Sequence, residues 1–115
     1  DRRSIQSAQE NARLNNCTNL KFFPLSEADI NPVRLKPKTV VVDPPRSGIS
    51  KKGRRTIKAI NPEIIVYVSC NPSTYSRDII DFIKNGYALE KITLIDMFPC
   101  THHIEIVSQL IKSYK

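Results

Sequence analysis

Three short stretches carry side chains that can do chemistry, and each interrupts an apolar run. "KTVVVDPPR" (38–46) ends a β-branched run on Asp43 and follows it with Pro44, Pro45 and Arg46. "IVYVSCNPSTYSRDI" (65–79) ends a second run on Ser69 and Cys70, then turns at Asn71-Pro72. "DMFPCTHHIE" (96–105) crowds Phe98, Cys100, His102 and His103 into a turn. A cysteine used as core filler would sit inside its apolar run; Cys70 sits at the rim. Proline fixes φ and cannot extend a strand ladder, so it stops the strand and stiffens the adjoining loop. A carboxylate and a thiol are thereby held at strand ends. The thiol suits nucleophilic work, for which thiolate is the active form. Cysteines and histidines are zinc-ligand types, but no standard ligand spacing is present, and no metal is expected.

Elements must exist to hold these side chains. Ile5, Ala8 and Ala12 fall at helical spacing and predict an amphipathic helix over 3–15. "LKFFPL" (20–25) reads as a short strand, and 26–37 as a polar, proline-broken loop. Strands are predicted at 38–43, 63–69, 89–98 and 103–112, and helices at 51–60 and 73–84. The first of these strands reads as buried on both faces, as central parallel strands are. Alternation of strand and helix predicts a doubly wound α/β sheet. The short link "PCTH" is too brief for a parallel crossover, so the final two strands must be antiparallel. Ligands in such sheets bind at the carboxyl ends of the parallel strands, where the three stretches fall.

With 115 residues the chain can form one modest domain. Forty per cent hydrophobic and 25% charged residues are an ordinary globular balance. No apolar run is long enough to span a membrane, and the start carries no signal-peptide pattern. The net charge of +7 favours a polyanionic partner, RNA or DNA. Three widely spaced cysteines, Cys17, Cys70 and Cys100, argue against a secreted disulfide framework and for a reducing cytoplasm. Cys100 reads as a structural thiol, and Cys17 as one that closes the first helix.

In combination, Asp-Pro-Pro-Arg (43–46), Ser-Cys-Asn-Pro (69–72) and His-Ile-Glu (103–105) resemble the late motifs of the S-adenosylmethionine-dependent RNA (uracil-5-)-methyltransferases. These enzymes make 5-methyluridine in transfer RNA and 23S ribosomal RNA. The resemblance covers essentially the whole chain. It implies a Rossmann-like class I methyltransferase sheet, mostly parallel with an antiparallel last strand. It implies S-adenosylmethionine as cofactor, RNA as partner, Cys70 as nucleophile and Glu105 as general base. Asp43 would line the cofactor and target-base pocket, and Ser26 falls where relatives contact the cofactor's adenosine. Pro44, Arg46 and Asn71 are the candidate substrate contacts. Lys51, Lys52, Arg54 and Arg55 form a basic cluster suited to phosphates.

The family's glycine-rich cofactor loop has no counterpart among the three glycines here. The chain is therefore expected to be the carboxyl-terminal part of a catalytic domain, truncated on its amino-terminal side and inactive by itself. Two other readings stay open. One is a non-catalytic RNA-binding fragment. The other is an amino-methyltransferase using Asp-Pro-Pro, in which Cys70 has no role.

Overall fold

A computed structural model describes residues 2–26, 29–32, 34 and 36–113. It divides into two compact units, Asp1–Ile30 and Asn31–Lys115. The first holds helix α1, Arg2–Leu14. Ile5 and Ala8 are half-buried and Ala12 is buried, the stripe the spacing predicted. Asn16 takes a left-handed φ of 54°, and Cys17 N–H donates to the Ala12 carbonyl at 2.9 Å, so the helix closes there. Residues 20–25 form no strand. A strand needs a ladder partner, and Pro24 lacks a donor; Leu20, Phe23 and Leu25 are exposed. The predicted loop over 26–37 is irregular where described, and residues 27, 28, 33 and 35 lie outside the described residues.

The second unit runs β1 (Thr39–Val42), α2 (Lys51–Ile60), β2 (Ile64–Ser69), α3 (Pro72–Ile83), β3 (Tyr87–Ile95) and β4 (Glu105–Lys112). The sheet order is β1-β2-β4-β3. β1 and β2 are parallel; β4 is antiparallel to both of its neighbours. β1, β2 and β3 thus share one direction, with β4 reversed between β2 and β3, as expected for a mostly parallel sheet with an antiparallel last strand.

The helices start and stop on local chemistry. Ser50 caps α2 by accepting from Gly53 N–H at 2.9 Å, and Asn61 ends it in the left-handed conformation, directly before Pro62. Asn71 caps α3, with Pro72 in its first turn. β2 and β4 alternate half-buried and buried residues along their length. Their buried set, Ile65, Tyr67, Ile106 and Leu110 among them, meets Ile57 of α2 and Tyr75, Ile79 and Phe82 of α3. Full burial of each such aliphatic or aromatic side chain is worth about 1.5–3 kcal/mol.

β1 departs from expectation. Val40 and Val42 are half-buried while Thr39 and Val41 are exposed, so it is not buried on both faces. Among the described residues it is the terminal strand of the sheet, and its exposed and half-buried positions alternate. β3 is the other edge, with an irregularity between Leu89 and Lys91. Among the described residues no helix is long and apolar enough to cross a membrane.

Candidate active site

All three chemically interesting stretches arrive at one edge of the sheet. β1 ends at Val42, paired with Tyr67, and delivers Asp43. β2 ends at Ser69, paired with Ile106, and delivers Cys70. β3 ends at Ile95, paired with Glu105, and delivers the 96–103 turn. Register then makes a specific juxtaposition. The β2–β4 ladder runs to Ser69↔Ile106, so Cys70 directly follows β2 at the end where Glu105 begins β4. Alternation places Glu105 with Val107 and Gln109. Glu105 therefore belongs to the sheet face turned away from the core that Ile106 and Leu110 share with α2 and α3. Cys70 and Glu105 are both half-buried.

Among the described residues, the side chains of Asp43, Arg46, Cys70 and Glu105 are engaged in no hydrogen bond or ion pair. Asp43 and Arg46 are exposed and Pro44 is half-buried. The residues around them are, by contrast, fully committed. Ser69 Oγ accepts from Asn71 N–H at 3.1 Å and donates to the Asn71 carbonyl at 3.2 Å, which pins the turn holding Cys70. Asn71 Oδ1 accepts from Ser73 N–H at 3.1 Å as the helix cap, and Asn71 Nδ2 donates to the Arg46 carbonyl at 2.9 Å. With both ends of its amide in use, Asn71 ties the Cys70 turn to the Asp-Pro-Pro-Arg loop. Ser26 is exposed and lies in the first unit.

A buried carboxylate that sequence reasoning missed underlies this edge. Asp78, on α3, is completely buried. Its Oδ2 accepts from Tyr67 Oη at 2.7 Å and from Ile49 N–H at 2.8 Å. Its Oδ1 accepts from Arg54 Nη1 and Arg77 Nε, both at 2.8 Å. Burial, reinforced by the Asp78 carboxylate, pushes the Tyr67 phenol well above its usual range. Arg54 also pairs with Asp81 at 2.9 Å, and Lys58 Nζ reaches Asp81 at 3.0 Å. Burial alone would raise the Asp81 carboxyl, but the bonds from Lys58 and Arg54 outweigh it and hold the group low. Arg54 is accordingly not an open phosphate ligand: two aspartates hold it at 14% side-chain exposure. Lys51 and Arg55 remain exposed. The Ser-Arg-Asp run at 76–78 looks like an ordinary helix surface; its distant partners Ile49, Arg54 and Tyr67 reveal otherwise.

Cys100 is exposed at a φ of 67°, not packed as a structural thiol. Its turn is closed by Thr101 Oγ1 donating to the Phe98 carbonyl at 2.7 Å and accepting from His103 N–H at 3.2 Å. His103 meets Phe98 edge-on and His102 at 4.2 Å between ring centres. Among the described residues no three His, Cys, Asp or Glu side chains cluster closely enough to hold a metal ion.

The ends of β1, β2 and β3 and the start of the reversed β4 thus bring a thiol, two carboxylates and proline-stiffened loops to the side of the sheet where open α/β folds bind their ligands. The chain matches the tRNA (uracil-5-)-methyltransferase family over residues 1–113 and belongs to it. It is 45% identical over 111 residues to an uncharacterized RNA methyltransferase of Caldanaerobacter subterraneus subsp. tengcongensis, covering 96% of this chain and 25% of that protein. A similar protein of Lactococcus lactis is 39% identical, with 95% and 25% covered. The crystal structure of Pyrococcus abyssi tRNA (uracil-54, C5)-methyltransferase in complex with S-adenosyl-L-homocysteine superposes with a TM-score of 0.82 at 35% identity, covering 96% of this chain and 27% of that one. The chain thus spans about a quarter of the length of its relatives.

Proposed function

We propose that this chain forms the nucleophile-bearing, carboxyl-terminal part of an enzyme that methylates C5 of a uridine in RNA. The carrying observation is that Cys70 directly follows β2 at the end of the ladder where Glu105 begins the neighbouring β4, both side chains uncommitted. Uracil C5 is a poor nucleophile. Addition of the Cys70 thiolate to C6 makes the ring an enolate, whose C5 takes the methyl group. S-adenosylmethionine supplies that methyl group when bound. Glu105 then removes the proton from C5, the C6–S bond breaks, and the Cys70 thiolate leaves. Two groups acting on adjacent ring atoms must both reach one base, and the meeting of the end of β2 with the start of β4 supports that reading.

The first turn of α3 begins two residues past Cys70 and contains no acidic residue. Asn71, the cap of that helix, holds the Arg46 carbonyl and so keeps the Asp-Pro-Pro-Arg loop beside the Cys70 turn. Asp43, free at the adjoining strand end, fits a donor group of either the cofactor or the target base. Ser26 is assigned to the cofactor's adenosine, and Pro44 and Arg46 to the substrate. Asn71, its amide already in use, supports the site from behind. The substrate is RNA, either transfer RNA, as for the Pyrococcus abyssi neighbour, or 23S ribosomal RNA. The uridine must leave its stack to reach the site. The cytoplasm is the compartment that fits a free nucleophilic cysteine.

The test uses an enzyme of the relatives' full length carrying this chain, with RNA containing 5-fluorouridine. Fluorine at C5 cannot leave as a cation, so a covalent protein–RNA adduct should accumulate and map to Cys70 by mass spectrometry. Cys70→Ala should form none. Glu105→Gln should trap an adduct even with ordinary uridine, since the C5 proton stays in place. Full methylation by Cys70→Ala would move the assignment to an amino-methyltransferase.

A further inference from the structure

Four residues of α3 and its cap, Asn71, Thr74, Arg77 and Asp78, recur at helical spacing and all bond to one loop. Asn71 Nδ2 and Thr74 Oγ1 both donate to the Arg46 carbonyl, at 2.9 and 3.1 Å. Arg77 Nη2 donates to the Ser47 carbonyl at 3.0 Å. Asp78 Oδ2 accepts from Ile49 N–H at 2.8 Å. Residues three and four apart share a helix face, so this is a single polar stripe that holds 46–49 along its length. The loop has been shaped to it. Gly48 sits at a φ of 74°, and a Cβ there would lie 2.6 Å from both Arg77 Nη2 and Asp78 Oδ2. The far end of the stripe is the most deeply fixed, because Asp78 is also bonded by Tyr67 of β2 and Arg54 of α2.

Backbone groups of a loop need partners, but water satisfies them at an exposed edge. Here side chains of the very helix that comes after Cys70 satisfy them instead. The loop they hold is the one that carries Asp43 and Arg46. We propose that Thr74, backed by the buried Asp78, is a positioning residue for the methyl-transfer site. It sets the Asp-Pro-Pro-Arg loop at a fixed distance from the nucleophile and touches neither substrate nor cofactor itself. The stripe makes the two site loops one rigid body. This inference rests on the uridine-methylation reading for its kinetic consequence and on the hydrogen bonds alone for its structural one.

Both consequences can be measured. Thr74→Val keeps shape and removes the hydroxyl; Thr74→Ser keeps the hydroxyl. In the full-length enzyme, Thr74→Val should slow adduct formation with 5-fluorouridine RNA about tenfold, the scale expected of a small misplacement. Its melting temperature should stay at the wild-type value, and Thr74→Ser should restore the rate. Wild-type rates in Thr74→Val, or a loss that tracks the melting temperature and is not rescued by serine, would overturn the proposal. If the wild-type enzyme forms no adduct, the uridine reading has failed and hydrogen exchange decides the stripe. Amides of 47–49 should then exchange faster in Thr74→Val and Asp78→Asn while those of β4 are unchanged. Unaltered exchange at 47–49 would sink it.

Discussion

At the scale of single residues, the site divides into groups left free and groups fully used. Asp43, Cys70 and Glu105 are free; Ser69, Asn71, Thr74 and Asp78 are used. Sequence reasoning found Asp43 and Cys70 because strand ends followed closely by proline are visible in one dimension, and Glu105 through the resemblance of its His-Ile-Glu motif. It missed Asp78, whose meaning lies in an amide 29 residues away. It also took Arg54 for a phosphate ligand, because a basic helix start looks the same whether its cations face water or aspartates. Gly48 shows how tightly the used groups are packed. Its positive φ disfavours any side chain, and the space a Cβ needs is filled by Arg77 and Asp78. Gly48→Ala should therefore cost at least about 2 kcal/mol of unfolding free energy, read by urea denaturation. The same substitution at Gly86, where φ is also positive but nothing lies within 4 Å, should cost less. Equal losses would mean that backbone strain, not the Asp78 cluster, limits position 48.

At the scale of elements, periodicity located every helix and strand of the second unit to within a few residues. The two failures share a cause: a strand's partner is not written in its own sequence. Residues 20–25 have strand-like residues and no ladder. β1 has a doubly apolar run, yet its exposed and half-buried positions alternate. The junction of β2 with α3 depends on Tyr67, fully buried, which donates to Asp78 and stacks edge-on with Tyr75 at 5.6 Å. Its phenol is raised by burial first and by the Asp78 carboxylate second. A raised folded-state value means that the protonated form is favoured on folding. The stabilisation is complete below the unfolded phenol's value of about 10 and is lost as pH climbs through the higher folded one. Tyr67→Phe removes that dependence along with one bond to a buried carboxylate, a loss of about 1–3 kcal/mol near neutrality. The stability gap between wild type and Tyr67→Phe should accordingly shrink as pH rises above about 10. Parallel curves through that range would show that the Tyr67–Asp78 bond does not govern the alkaline limb. Tyr87, also raised by burial, supplies a background common to both proteins.

At the scale of the whole molecule, the net charge of +7 acts as one field on a polyanion. Composition made that field legible, but not which cations are available to shape it. The fold sorts them. Arg54 and Lys58 are spent on Asp78 and Asp81, so their charge is neutralised within the protein. Lys51 and Arg55 stand exposed on the same helix, beyond the loop that carries Arg46. Each cation that contacts a phosphate of single-stranded RNA releases counterions and contributes about 0.7 to the slope of log affinity against log salt. Replacing both Lys51 and Arg55 by alanine should lower that slope by about 1.4 and leave thermal stability unchanged, measured by titrating RNA over a range of salt concentrations. Arg54→Ala should do the reverse. It strips one of two cations from a fully buried carboxylate, so it should cost about 1–3 kcal/mol of stability and leave the salt slope of the folded protein unaltered. A slope that falls with Arg54→Ala but not with Lys51→Ala/Arg55→Ala would invert the sorting. It would place RNA on the Asp78–Asp81 side of α2 and require the ion pairs there to open when RNA binds.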